Sequence, residues 1–259
     1  MIAQMPMNIN PNETQTGLVN PSIPPRVNND AYFAELANLL NVRIIQKAAC
    51  IEFLYPQCVP NRYEVVDPNG RKMYELKEKS ECCERCCCFP FRSFDMFINN
   101  ITSVENNTSV SMEGSKNCAI PIMYFCGCGK PTFEVEVNSP IGFRIGSAKL
   151  NYNNCLCYIC ENRIDILDSS NSLRYIIKSN CCCLGYYLCH FTKCCDCSYN
   201  IIQNNQTVGT ITKDTCNGAV TFCTNADNYS IAFPLNATPQ DKMLLICGAL
   251  LIDYLSYYL

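Results

Sequence analysis

Met243-Leu244-Leu245-Ile246-Cys247-Gly248-Ala249-Leu250-Leu251-Ile252, entered from Asp241-Lys242 and left through Asp253-Tyr254-Leu255, is the stretch on which the fold turns. It reads as a helix that is apolar nearly all round, so it needs apolar surroundings on every side, either a protein core or lipid. Residues 242–259 would reach about 27 Å as a helix, against a hydrocarbon core of about 30 Å. The span is just short and it carries Asp253. We therefore expect a helix buried inside the protein.

The segments upstream supply a shell for it. Residues 132–137 alternate cleanly, with Phe133, Val135 and Val137 on one face and Glu134 and Glu136 on the other. Residues 62–66 and 72–76 flank Asp67-Pro68-Asn69-Gly70, whose residues suit a type I turn at each position. Residues 163–167 and 173–178 form a second hairpin around Asp168-Ser169-Ser170-Asn171. Residues 199–202 and 208–212 form a third around Asn204-Asn205. Short strands at regular spacing with turn signals predict a sandwich or barrel. Before them, Asp30 is placed to cap a short helix through Leu40, with Phe33, Leu36, Ala37 and Leu40 on one face. Residues 1–29 are rich in Asn and Pro, lack an apolar period and read as a disordered tail. Within it, Pro21, Pro24 and Arg26 fit a PxxPxR pattern that an SH3-type partner could take as polyproline II. One folded domain, 30–259, follows.

Composition narrows the function. A net charge of −3 provides no general basic field, so nucleic acid is not expected as a partner. The 23 cysteines come in adjacent runs such as Cys82-Cys83 and Cys181-Cys182-Cys183, and residues 1–10 show no secretory leader pattern. Free thiols on a cytoplasmic face are the simpler reading. Seven of these cysteines stand near His190, the only histidine, between Cys181 and Cys197. Zinc there is one reading and buried free thiols are the other. With a single histidine no nucleophile–base pair can be argued, and no enzyme is expected.

Several stretches resemble the phospholipid scramblase family. They are Asn61-Arg62-Tyr63-Glu64-Val65, then Cys82-Cys83-Glu84-Arg85-Cys86-Cys87 with Pro90, Phe91 and Arg92, and later Glu134-Val135-Glu136-Val137 with Pro140-Ile141-Gly142. The most specific is Asn225-Ala226-Asp227-Asn228-Tyr229-Ser230-Ile231-Ala232-Phe233-Pro234-Leu235-Asn236, which runs directly into the apolar helix. The resemblance implies a mainly β, Tubby-like fold: a closed antiparallel barrel of about twelve strands around a buried C-terminal helix. It also implies ATP-independent, bidirectional movement of membrane phospholipids between leaflets, at the cytoplasmic face of the plasma membrane. A lipid-anchored adaptor of the same fold is the alternative.

The resemblance further implies calcium, with ligands falling on Asn225, Asp227 and Asn236 and with Tyr229 and Ile231 at the intervening ligand positions. The family pattern is acidic at both ends; here both ends are Asn, and Asp227 is the one carboxylate, so weak binding is expected. The family's palmitoylated cysteine run falls on Cys126 and Cys128, a thinned version of it. Its basic import segment falls near 208–220, where Lys213 stands beside Asp214 and no basic run exists.

Overall fold

The computed structural model describes residues 29–47, 59–81, 94–101, 109–116, 133–139, 142–152, 162–179, 197–214 and 228–256. These form β1 (Asn41–Gln46), β2 (Arg62–Val66), β3 (Lys72–Lys79), β4 (Phe94–Asn100), β5 (Ser109–Lys116), β6 (Phe133–Asn138), β7 (Arg144–Tyr152), β8 (Asn162–Asp168), β9 (Leu173–Ser179), β10 (Cys197–Gln203), β11 (Gln206–Asp214) and β12 (Asn228–Ala232), followed by α1 (Pro239–Ser256). Each strand pairs antiparallel with its neighbours in sequence, and β1 pairs with both β2 and β12.

The expected hairpins are present, and their turns follow from their residues. Gly70 (φ 80°) ends the β2–β3 turn, where the Gly70 N–H donates to the Asp67 carbonyl. One Asp67 carboxylate oxygen accepts the N–H groups of Asn69 and Arg71. Asn204 and Asn205 both take positive φ, the twist a two-residue hairpin needs, and Asn is the side-chain-bearing residue that tolerates it best.

Alternation carries the inward residues: Val42 and Ile44, Tyr63 and Val65, Leu76, Met96 and Ile98, Val135 and Val137, Ala148 and Leu150, Ile164 and Ile166, Tyr175 and Ile177, Tyr199 and Ile201, Ile211, Tyr229 and Ile231 are all buried. They surround α1, in which every residue from Asp241 to Tyr254 is buried. Gly248 permits the closest approach, since a Cβ there would lie 2.7 Å from Ile177 Cδ1 and 3.0 Å from Ile166 Cδ1. The outward residues are charged and paired across strands, as in Lys47–Glu64, Lys72–Glu64, Arg144–Glu136 and Lys149–Glu134.

The helix expected over 30–40 is instead a short 3-10 segment, Asn29–Leu36, with non-helical backbone at Phe33. Phe33 and Leu36, three apart, are fully buried against α1, while Leu40 turns outward and is 57% exposed. In a 3-10 turn, positions i and i+3 eclipse, so a four-residue apolar face is not built. The apolar helix begins three residues earlier than expected, at Pro239, because Thr238 and Asp241 cap it reciprocally. The Asp241 N–H donates to Thr238 Oγ1 (3.2 Å), and the Thr238 N–H donates to Asp241 Oδ2 (3.1 Å).

Candidate functional site

Two polar constellations hold the ends of α1. At its first turn, Arg174 on β9 forks onto Asp241, with Nε to Oδ1 at 3.3 Å and Nη2 to Oδ2 at 3.1 Å. The Tyr175 hydroxyl donates to the same carboxylate at 3.4 Å; burial, and then the Asp241 charge, push that hydroxyl up to about 12. The Lys242 ammonium donates to the carbonyls of Leu36 and Ala37, 2.8 Å each, and burial lowers its pKa. It ties the 3-10 segment to the helix.

At the last turn, Asp253 is wholly buried and accepts hydrogen bonds from the Tyr63 hydroxyl (2.5 Å) and the Tyr229 hydroxyl (2.9 Å). Beside it, Glu78 Oε2 accepts from the Tyr254 hydroxyl (2.8 Å) and the Asn61 N–H (2.9 Å), and Glu78 Oε1 accepts from Ser80 (2.6 Å). The Lys213 ammonium lies 5.9 Å from the Tyr229 ring centroid, and that side chain too is buried. The sequence marks this cluster only through Asp253, a carboxylate in an otherwise apolar helix. Glu78, Tyr63 and Asn61 come from strands whose pairing must be known before they can be brought to it. Both carboxylates are filled by hydrogen-bond donors, which makes the cluster a lock on the helix end rather than a reaction centre.

The proposed calcium segment runs into this cluster and out the other side. Asn225 and Asp227 lie outside the described residues. Tyr229 turns its hydroxyl inward to Asp253, and Ile231 is fully buried in the core. Residues 228–232 are paired on one side with β1 and on the other with β11, so their carbonyls serve the ladders. Asn236 lies beyond the far end of β12, is exposed, and donates from Nδ2 to Gln203 Oε1 at 3.5 Å. Five extended residues span about 14 Å from first to last Cα. The structure therefore does not bring Tyr229, Ile231 and Asn236 around one point. Among the described residues, no group of three or more His, Cys, Asp or Glu is arranged to hold a metal ion. Cys126, Cys128, Pro21, Pro24, Arg26 and the cysteine cluster around His190 lie outside the described residues; Cys197 opens β10.

Strand direction also sorts the connections. The short turns 67–71, 139–143, 169–172 and 204–205 and the link 233–238 lie at the end where α1 starts. The connection 101–108 also leaves from that end, whereas the longer connections 47–61, 80–93, 117–132, 153–161, 180–196 and 215–227 leave from strand ends at the opposite pole. In sequence, every cysteine except Cys247 falls in one of those longer connections or, for Cys197, on the strand residue that follows.

The sequence model of the Scramblase family matches residues 20–258. The chain belongs to the Scramblase family. It is similar to human phospholipid scramblase 1, 26% identical over 243 residues that cover 92% of this chain and 69% of the relative. Similarity to bovine phospholipid scramblase 2 is 25% over 232 residues, covering 87% and 70%. Human phospholipid scramblase 4 is 23% identical over 248 residues, covering 95% and 70%. No solved structure matches. Of the four resembling segments in this scramblase-family chain, the one from Cys82 to Arg92 lies outside the described residues; the other three fall on β2, β6 and the run from β12 into α1, and two of those three carry hydroxyls that hold Asp253.

Proposed function

We propose that this chain moves phospholipids between the leaflets of a bilayer, without ATP and in both directions, from a position at a membrane's cytoplasmic face. One observation carries this reading: the Scramblase match over nearly the whole chain, with relatives named phospholipid scramblases. We read the run of strand pairings from β1 round to β12 and back to β1 as the closed Tubby-like barrel of that family.

The geometry bears on how such a protein would work. Among the described residues the interior is filled by α1 and the outward strand residues are mostly charged or polar, so neither inside nor wall resembles a path or a lipid-facing band. No described helix is long and apolar enough to cross a membrane. Acting on the bilayer from its surface fits these facts better than conducting lipid through the protein. Acylation at Cys126 and Cys128 belongs to this reading as a means of attachment, and hydroxylamine release from membranes tests it. Calcium enters as a weak effector through Asp227, with a dissociation constant of roughly 10⁻⁴ to 10⁻³ M. Calorimetry on the Asp227→Asn variant should show that binding lost.

The deciding experiment is reconstitution of the purified chain into liposomes carrying a fluorescent lipid, followed by dithionite, with and without calcium and without nucleotide. Bleaching that proceeds past the outer leaflet in sealed vesicles is expected. Bleaching that stops at the outer leaflet at every protein-to-lipid ratio overturns the transport reading and favours a membrane-bound adaptor.

A further inference from the structure

The outer wall of the sheet is mostly charged or polar, yet five large apolar side chains among the described residues stand exposed: Leu235 (88%), Leu40 (57%), Leu173 (51%), Phe143 (47%) and Ile101 (46%). Isolated exposed apolar residues are ordinary. These are not scattered. Leu40 precedes β1, Ile101 follows β4, Phe143 ends the β6–β7 turn, Leu173 opens β9, and Leu235 lies between β12 and α1. Every one of these positions is at the pole where α1 starts.

Hydrogen bonds link the tips into an arc. The Phe233 N–H donates to the Leu40 carbonyl, two residues from Leu235. Asn236 donates to Gln203, and Gln203 Nε2 donates to the carbonyl of Arg174, next to Leu173. Arg144, next to Phe143, donates to Asn171 in the turn before Leu173 (2.6 Å). The charges at this pole differ in exposure rather than in number. Asp67 and Asp241 are buried and each is paired with an arginine, and Asp168 is half-buried, its Oδ1 accepting from the N–H groups of Ser170 and Ser172. Arg71 and Lys72 are more than half exposed, while the carboxylates they pair with, Asp67 and Glu64, are only 7% and 13% exposed. Apolar tips on fixed turns, with cations behind them and carboxylates withdrawn, suit the boundary between headgroups and acyl chains.

We propose that this pole is a membrane-docking rim, which inserts Leu40, Phe143, Leu173 and Leu235 into the outer layer of a phospholipid bilayer. The proposal rests on the phospholipid reading above and adds to it an orientation, with α1 pointing its first turn at the membrane. The one connection that contains both Cys126 and Cys128 leaves from the opposite pole, so the rim is an attachment independent of acylation.

The chain contains no tryptophan, so one introduced indole reports alone. Full-length chain purified from bacteria, and therefore unacylated, would carry Leu235→Trp, Phe143→Trp or, on the wall, Lys77→Trp. Each would be mixed with phosphatidylcholine–phosphatidylserine vesicles bearing brominated acyl chains. Blue-shifted, quenched emission is expected at positions 235 and 143 and unquenched emission at 77. In flotation with the same vesicles, Phe143→Ser, Leu173→Ser and Leu235→Ser combined should weaken binding at least tenfold, since each removes an apolar group worth about a factor of ten or more on full burial. Vesicle binding that is absent, or equal quenching at 235 and 77, overturns the rim. So does a blue shift that grows with protein concentration without vesicles, which would assign the pole to a second copy. Dithionite bleaching on the same vesicles separates the two readings. Rim quenching without transport sinks only the transport reading, and transport without rim quenching sinks only the rim.

Discussion

Gly146 on β7 and Gly248 on α1 both stand where a side chain would collide, but with different partners. A Cβ at Gly146 would meet the Leu167 carbonyl oxygen, part of the neighbouring strand's backbone, and Leu244 Cδ1 at 2.8 Å. At Gly248 it would meet only the methyl ends of Ile177 and Ile166. Methyl ends can swing aside; a paired carbonyl cannot. Gly146→Ala should therefore cost about 2–3 kcal/mol of stability in urea unfolding. Gly248→Ala should stay within about 1 kcal/mol of the parent, because alanine's better helix propensity offsets the squeeze. One residue before Gly248, the Cys247 thiol is fully buried, and burial pushes its pKa up to about 12 from 9.0. Peptide mapping after maleimide treatment of native protein should find Cys247 unmodified until the fold opens. Its pKa is raised in the folded state, so its contribution is present below pH 9 and lost as pH rises toward 12.

The helix and the strands with strict alternation were legible because each element's own residues decide it. Val135 and Val137 face the core while Glu134 and Glu136 face Arg144 and Lys149, and no other element needs to be known. β4, β5 and β7 give weaker signals, since Asn99-Asn100, the serines of 109–116 and Gly146 interrupt the pattern, and only pairing on both sides makes them strands. The site was less legible than the fold. A string of oxygen-bearing residues from 225 to 236 looks the same in sequence whether it curls or extends. The ladders to β1 and β11 extend its middle, and alternation then points Tyr229 and Ile231 into the core. For α1 the expected outcome of Leu250→Lys is loss of the folded state rather than of membrane affinity alone, because Leu250 is fully buried and the new charge would have no partner. Circular dichroism and limited proteolysis in detergent-free buffer check this; a folded, protease-resistant variant would contradict the enclosed position of the helix.

At the scale of the molecule, Asp253 joins parts of the chain that are distant in sequence. Tyr63 on β2 and Tyr229 on β12 flank β1, and both donate to one carboxylate at the end of α1. Asp253→Ala should cost about 3 kcal/mol or more, since two buried hydroxyls lose their shared acceptor at once. The Tyr63→Phe and Tyr229→Phe changes should each cost less. Urea unfolding of the three variants checks the order, and equal losses would mean that the carboxylate does not act as a common clamp.

The order of elements along the chain has a consequence for biosynthesis. All twelve described strands leave the ribosome before α1, yet α1 is what their inward side chains pack upon, and β1 must wait for β12 to gain its second neighbour. A nascent chain that has made β11 holds a curved sheet with an unfilled apolar face and an open edge, the kind of intermediate that aggregates and that chaperones hold. Folding should therefore be completed after translation of the helix rather than strand by strand. A ribosome stalled just before Pro239 should carry a chain as sensitive to protease as one stalled at β6.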